Sequence, residues 1–268
     1  MPLTVLAHQG FVLPAKIAAP RHVDATALCI GAGAPDLAYA LGPWLNAESH
    51  TVVGLVVWAV PFTLIASLVM RRWAASGIFA VVPDLGPFRL RSYRVLATRR
   101  PAALVTLTSA VAGAGSHVVI DGFTHRGRWG ADWLGLNEPI LTDPIRGEAL
   151  SGAEIAQDLG HVVGAVIFTI TLFVIGVTGR LCDWYGEDAV AEARAVVATA
   201  RQRAVFGLIV AVPVLTTIGV VGELRSSTIF ISMLVGAPAI LVAGAVVGRW
   251  LDRTVEGRFS DRPLSPLS

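Results

Sequence analysis

Five long apolar stretches dominate the pattern of hydrophobic and polar positions in this chain. Each is close to the length, about 20 residues, at which a helix crosses the ~30 Å hydrocarbon core of a bilayer. Each is also rich in Gly, Ala, Ser or Thr, which lets membrane helices pack closely. The stretches cover 51–70, 102–120, 159–177, 205–221 and 228–247. The pattern therefore predicts an all-α fold, a polytopic transmembrane helical bundle with about five full spans.

The first fifty residues are apolar but contain no clean span. The stretch 3–20 is interrupted by Pro14 and Lys16, and the stretch 25–44 carries several glycines and two prolines. Irregular backbone at membrane depth is stable only where protein or a wet cavity surrounds it. We therefore predict an N-terminal re-entrant or interfacial helical hairpin, with Lys16 and Arg21 near its turn.

Composition places the chain in a membrane. Hydrophobic residues make up 54% of it, charged residues only 15%, and the mean hydropathy is +0.66. Because this is far more apolar than an ordinary soluble domain, we expect an integral membrane protein. The formal net charge of +2 is too small to indicate nucleic-acid binding. The chain start lacks a basic segment, so a cleaved signal peptide is not expected.

The arginines are unevenly distributed and predict how the bundle is oriented. The segment 71–100, between the first two spans, holds seven arginines and one acid. Short cytoplasmic loops are enriched in Arg and Lys, so this segment should be cytoplasmic. Alternating the spans then places the amphipathic stretch 183–203, which predicts a helix, and the basic C-terminal tail on the same side. The acidic loop 121–158 falls on the extracytoplasmic side of what we expect to be a bacterial inner membrane.

His117, Asp121 and His125 lie four residues apart at the end of the second apolar stretch. Residues at this spacing face nearly the same direction from a helix, so two imidazoles and a carboxylate can meet at one point. Ionisable groups near hydrocarbon are costly and often mark a functional site. The spacing predicts a metal site in which His117 and Asp121 are also the candidate catalytic residues. A hydrogen-bonded structural cluster of the same three residues is the alternative.

Further histidines and acids approach the same membrane face in the predicted topology. His50 precedes the first span, and Asp158 and His161 open the third. Neutral imidazole and carboxylate together suit zinc, although other divalent metals also accept these ligands. Asp158 and His161 are candidates for additional ligands or for residues that support the ligands; alternatively, His161 is a helix-packing residue.

Arg126 and Arg128 follow His125 directly. Guanidinium groups bind phosphate bidentately, so these two residues are candidates for phosphate binding. Alternatively, they contact lipid phosphates or balance the acidic loop.

Two metal ions a few ångströms apart would stabilise both the entering and the leaving oxygen of a phosphoryl transfer.

The order of these residues resembles a bacterial membrane family of unknown function, number 4184. The motifs that carry the resemblance are Thr4-x-x-x-His8, Gly33-Ala34-Pro35-Asp36, Ser49-His50-Thr51-x-x-Gly54 and Ser116-His117-x-x-x-Asp121-x-x-Thr124-His125. The pattern is also similar to YdjM-type inner-membrane metal-dependent hydrolases and, more distantly, to the zinc phospholipase C and P1 nuclease superfamily. This resemblance implies a site for two zinc ions, bridged by Asp121. Its ligands would be His8, Asp36, His50, His117, Asp121 and His125.

Two classes of function follow. The first is a membrane-embedded metal-dependent hydrolase that acts on phosphoester bonds of a lipid or lipid-linked substrate through metal-activated water. The second is a non-catalytic membrane protein, either a transporter-like bundle or a scaffold, that binds the metal. Membrane lipid is the expected partner, nucleic acid is not expected, and the sequence indicates no oligomeric state. We treat 1–268 as one membrane domain, in which 1–165 bear the site and 166–268 form C-terminal helices and a cytoplasmic tail.

Overall fold

The chain forms a bundle of α-helices in the computed structural model, which describes residues 4–41, 49–142, 147, 149–221 and 226–260. In chain order the helices are α1 (Thr4–Val12), α2 (Pro14–Ala18), α3 (Ala25–Leu37), α4 (Val52–Val81), α5 (Ala103–Thr124), α6 (Trp129–Trp133), α7 (Gly152–Thr178), α8 (Arg180–Tyr185), α9 (Glu187–Ala195), α10 (Ala200–Val221) and α11 (Ser226–Ser260). Within the described ranges, α4, α5, α7, α10 and α11 are long and apolar enough to cross a membrane. The predicted all-α membrane bundle is therefore confirmed.

The first span extends beyond the apolar stretch that predicted it. α4 continues to Val81 because Arg71, instead of ending the helix, is buried inside the bundle and pairs with Asp24. Two segments of α4, Leu55–Ala59 and Met70–Ala74, have π-helical hydrogen bonding. Such widened turns are frequent near functional sites.

Residues 4–37 form the helical hairpin that the sequence predicts, and it packs against α4, α5 and α7. α1 and α2 lead away from the end of the bundle at which α7 begins, and α3 leads back. Lys16 lies at the turn, as predicted, and its Nζ donates to the carbonyl oxygens of Pro20 and Val23 at 2.6 and 2.8 Å. The hairpin therefore begins and ends at the same end of the bundle.

α3 and α5 lie parallel, in a register in which residues 85 apart in sequence face each other. The backbone N–H of Asp24 donates to Ser109 Oγ at 2.9 Å, and His117 Nδ1 donates to the carbonyl oxygen of Ala32 at 2.8 Å. Because the same offset holds along the pair, the last turn of α3 lies beside the last turns of α5.

Glycines allow this close approach. A Cβ atom at Gly113 would lie 2.3 Å from the carbonyl oxygen of Leu28, and one at Gly31 would lie 2.8 Å from the carbonyl oxygen of Ala110. Real side chains do not tolerate such distances, so larger residues would push the two helices apart. Small residues therefore fix the register of α3 against α5, as they do in other membrane bundles.

Two of the arginine-rich segments meet at the other end of the bundle. Arg194 Nε donates to Asp84 Oδ2 at 2.8 Å, and Arg99 Nη2 donates to the carbonyl oxygen of Tyr185 at 2.7 Å. These contacts join the segment between α4 and α5 to α8 and α9. The basic segments that the sequence groups on one membrane side are thus neighbours in space.

The single helix predicted over 183–203 is wrong. Gly186 has a φ of 92°, which interrupts the helix between α8 and α9. The chain then leaves α9 in an extended conformation at Val196, and the N–H of Ala198 donates to the carbonyl oxygen of Ala80 at 2.9 Å. This contact with the end of α4 replaces the helical hydrogen bond, and α10 begins only at Ala200. A short antiparallel strand pair, Pro139–Thr142 with Ala149–Ser151, lies between α6 and α7.

Candidate metal centre

Four buried side chains meet where α3 and α5 end and α4 begins: Asp36, His50, His117 and Asp121. One nitrogen or oxygen atom of each lies within 4.8 Å of the corresponding atoms of the other three. Asp36 comes from the returning arm of the hairpin, His50 from the residues just before α4, and the other two from successive turns of α5. The fold thus brings together residues from three separate segments.

Five of the six distances between these four atoms match those of a tetrahedral metal site. His50 Nε2 lies 3.2 Å from His117 Nε2 and 3.3 Å from both Asp36 Oδ1 and Asp121 Oδ2. His117 Nε2 lies 3.4 Å from Asp36 Oδ1 and 3.2 Å from Asp121 Oδ2. Nitrogen and oxygen ligands at ~2.0–2.1 Å from a tetrahedral zinc ion stand about 3.3 Å apart. The four residues could therefore hold one four-coordinate divalent ion.

Hydrogen bonds turn the ligand nitrogens of both histidines toward this point. His117 Nδ1 donates to the carbonyl oxygen of Ala32 at 2.8 Å, and a carbonyl can only accept, so neutral His117 carries its lone pair on Nε2. His50 Nδ1 lies 2.9 Å from Ser49 Oγ, which orients that ring in the same way. Metal-binding histidines commonly use the second ring nitrogen for such a bond.

Charge also favours a cation here. Asp36 and Asp121 are both buried, and burying carboxylates without compensating charge is costly. One divalent ion with two neutral imidazoles would balance the two negative charges. Without it, His50 Nε2 and His117 Nε2 are close enough to share one proton, but two imidazolium N–H groups at 3.2 Å would repel each other.

The other oxygen of Asp121 faces two more of the predicted ligands. Asp121 Oδ1 lies 3.5 Å from His8 Nε2 and 3.6 Å from His125 Nδ1, and it accepts no hydrogen bond from any described residue. The His8 ring stacks on that of His117, with centroids 3.9 Å apart. The His125 side chain is 38% exposed, so this second group of atoms is open to the outside of the bundle.

The first turns of α7 border the second group. Gln157 Nε2 lies 2.9 Å from His125 Nε2, and Thr124 Oγ1 lies 3.4 Å from His125 Nδ1. With the Gln157 amide turned over, its oxygen would accept from Nε2–H, and the lone pair of His125 would be on Nδ1, where it could bind an ion. His161 is buried within electrostatic range of Asp158, His125 and Asp121. Neither Asp158 nor His161 belongs to the group of four, and their role as additional ligands stays a prediction.

The two predicted phosphate-binding arginines lie on the exposed side of the centre. Arg126 and Arg128 are both exposed. Arg128 interacts electrostatically with Tyr39, whose ring lies 5.5 Å from that of His50. The part of Arg126 and Arg128 in phosphate binding stays a prediction.

Two neighbours of the ligands were not predicted from the sequence. Gln157 could have been found from its spacing, because it precedes His161 by one helical turn. Tyr39 gave no signal of this kind. Glu154, another acid near the start of α7, has a structural role, since its carboxylate accepts from the N–H and hydroxyl groups of Ser151 in a capping box.

The model of the family described as Domain of unknown function (DUF4184) matches residues 1–250. The match covers the hairpin and every residue of the candidate metal centre. The chain therefore belongs to this family. No curated protein and no solved structure matches it significantly.

Proposed function

We propose that this member of the family is a membrane-embedded metal-dependent hydrolase that cleaves phosphoester bonds in a lipid or lipid-linked substrate. The main support is the convergence of Asp36, His50, His117 and Asp121, whose ligand atoms lie within 4.8 Å of one another. Zinc is the metal we propose, since two imidazoles and two carboxylates suit it, and other divalent metals accept the same ligands. The motif resemblance to YdjM-type hydrolases and to zinc phospholipase C supports the same reaction class.

The two groups of ligand atoms suggest different roles. Four protein ligands would close the first position, whereas His8, Asp121 Oδ1 and His125 would supply only three ligands to a second. Catalytic zinc sites typically keep one position free, at which a zinc ion lowers the pKa of water and polarises a phosphoryl oxygen. We therefore assign the reaction to the second position, with the Asp121 carboxylate joining both.

The arginines beyond His125 complete the proposed site. Arg126 and Arg128 are exposed, and their planar guanidinium groups match two oxygens of a phosphate. They would hold the substrate phosphate over His125, the most exposed of the proposed ligands. A lipid headgroup at a membrane surface would reach such a site without leaving the bilayer.

A metal-stabilised, non-catalytic membrane protein is the second candidate. The four protein ligands of the first position favour it, because structural zinc sites are usually closed in this way. In that case the ion would hold the hairpin to α4 and α5, and the protein would act as a scaffold or a transporter-like bundle.

Metal content and hydrolysis, measured together, separate the two candidates. We expect two zinc ions per purified wild-type chain by elemental mass spectrometry. His125→Ala should keep the first ion and lose both the second ion and hydrolysis of phosphatidic acid, whereas His117→Ala should lose the first. His22→Ala, an exposed histidine away from the centre, is the matched control. Near-zero metal in the wild type would end the proposal, and full hydrolysis by His125→Ala would refute the assigned role.

We also propose that the centre faces the extracytoplasmic side of a bacterial inner membrane, because the arginine-rich segments lie at the other end of the bundle. Single cysteines at Trp133 and at Arg89, in a chain whose two native cysteines are replaced by alanine, test this. A membrane-impermeant maleimide applied to whole cells should label only the cysteine at position 133. Labelling at position 89 alone would reverse the orientation.

A further inference from the structure

An apolar cavity of about 440 Å³ lies against the candidate metal centre. The hairpin, α4, α7 and α11 all contribute to its wall, and Asp36, one of the four converging residues, is part of it. Specific ligand pockets in proteins commonly have volumes of about 300–1,000 Å³. The cavity is therefore large enough for a ligand, and it adjoins the polar centre directly.

The cavity has the length of one half of a bilayer. Its wall follows α3 from Ala25 to Asp36, a distance of about 16 Å at the helical rise. One leaflet contributes about 15 Å to the hydrocarbon core. A hydrocarbon chain lying along α3 would thus extend through the cavity while its polar end remained at the level of Asp36.

The wall chemistry suits hydrocarbon. Most of the lining side chains are Leu, Ile, Phe, Ala or Met, and an apolar space of this kind does not hold water well. Gln9 is a polar exception between the centre and the deeper wall. Its Nε2 donates to the carbonyl oxygen of Cys29 at 3.2 Å, and its Oε1 is buried without a hydrogen-bond partner among the described residues.

The cavity also reaches the surface that faces lipid. Leu6 of α1 and Ile240 of α11 line it, and each is 39% exposed. A lipid could therefore enter sideways from the bilayer, without its chain crossing water.

We propose that this cavity binds one hydrocarbon chain of a membrane lipid whose phosphate group lies at the metal centre. The inference rests on the proposed function and deepens it by assigning the place at which the hydrocarbon chain of the lipid substrate binds. The occupant follows from three features together: an apolar wall one leaflet long, an opening toward lipid, and a candidate metal centre at the polar end.

Narrowing the cavity tests whether it binds a hydrocarbon chain; we call this proposed site the chain site. Ala237→Phe adds a ring to the wall, and Val242→Phe adds the same ring to the same helix at a side chain that is 55% exposed outside the cavity. Binding of dioleoyl phosphatidic acid to zinc-loaded protein in detergent is followed by native mass spectrometry. Wild type and Val242→Phe should bind equally, and Ala237→Phe should bind about tenfold more weakly, as expected if about two methylene groups lose their burial. Ala237→Leu provides a smaller change if the ring impairs assembly.

A headgroup comparison keeps this inference separate from the proposed reaction. Dioleoylglycerol has the same chains but no phosphate, so wild type should prefer phosphatidic acid, and His125→Ala should lose that preference while still binding the chains. Equal binding of phosphatidic acid by Ala237→Phe and Val242→Phe would overturn the chain site. Equal binding of the two lipids by zinc-loaded wild type would overturn the placement of the phosphate. If the wild type bound the lipids as expected but hydrolysed no phosphatidic acid, the proposed function would be refuted and the chain site would remain supported.

Discussion

Replacing Asp24 by alanine should destabilise the bundle by about 4 kcal/mol, because this residue holds the turn of the hairpin to α4 and α5. The side chain of Asp24 is almost fully buried. Its carboxylate accepts from Arg71 Nη2, from Thr106 Oγ1 at 2.8 Å and from two N–H groups of the first turn of α3. The substitution would leave the buried guanidinium without its carboxylate partner.

The magnitude follows from two losses. Removing one partner of a buried ion pair costs about 3–5 kcal/mol, since the other charge stays buried and unpaired. Losing an N-cap costs about 1 kcal/mol. Because one carboxylate makes both kinds of contact, the losses overlap, and we expect about 4 kcal/mol in all.

Unfolding of the purified protein in detergent, with increasing denaturant, measures this loss. Asp183→Ala is the control, since Asp183 pairs with Arg180 on the surface, where both side chains are about half exposed, and such pairs contribute about 0–1 kcal/mol. The double variant Asp24→Ala/Arg71→Met should recover part of the stability, because it no longer buries a lone charge. A loss for Asp24→Ala no larger than that for Asp183→Ala would refute the reasoning, as would a double variant less stable than the single one.

Three further predictions concern the centre and the basic end. Ser49→Ala should weaken zinc binding about 10–100-fold in a competition titration, because it removes the hydrogen bond that orients His50; unchanged affinity would contradict this. Gly113→Val should abolish the four-ligand site and lower stability, since its Cβ atom would lie 2.3 Å from the α3 backbone. Full metal content in this variant would show that the close contact at Gly113 does not position the ligands. Burial opposes ionisation of Asp84, but the hydrogen bond from Arg194 outweighs it and lowers the pKa of this carboxyl. The Asp84–Arg194 pair therefore stabilises the fold above the ordinary carboxyl pKa, and this stabilisation is lost as pH falls below it. The thermal stability of the wild type should fall more steeply between about pH 5 and 3 than that of Asp84→Asn. Parallel curves for the two proteins would show that the pair contributes nothing to stability.

Most of the membrane architecture could be predicted from the sequence because lipid restricts which backbone structures are stable. A chain in hydrocarbon must satisfy its own backbone, so long apolar stretches become helices. The ends of the helices were harder to predict from the sequence. The first apolar stretch of the sequence ends before Arg71, yet the helix continues to Val81. The sequence does not predict this, because the partner of Arg71, Asp24, lies 47 residues earlier and only the fold brings the two together.

The candidate centre, too, could be predicted only in part from the sequence. The spacing of His117, Asp121 and His125 on one helix is visible in the sequence, and topology alone brings His50 to the same membrane face. The proximity of His8 and Asp36 to these residues came only from the motif resemblance. No local pattern predicts this proximity, because it depends on how the hairpin of residues 4–37 packs against α5 and α7.

The hairpin register explains why the centre forms where it does. Sliding α3 by one residue against α5 would move Asp36 by about 1.5 Å along the helix and turn it by about 100°, which would take its carboxylate away from His117. The glycine contacts and the Asp24 carboxylate, about 18 Å along the helix from Asp36, oppose that movement. His8 lies on the other arm of the same hairpin, so a shift of the hairpin would disturb both groups of ligand atoms together. Damage at the turn of the hairpin should therefore reduce metal binding as well as stability, even though no ligand lies there.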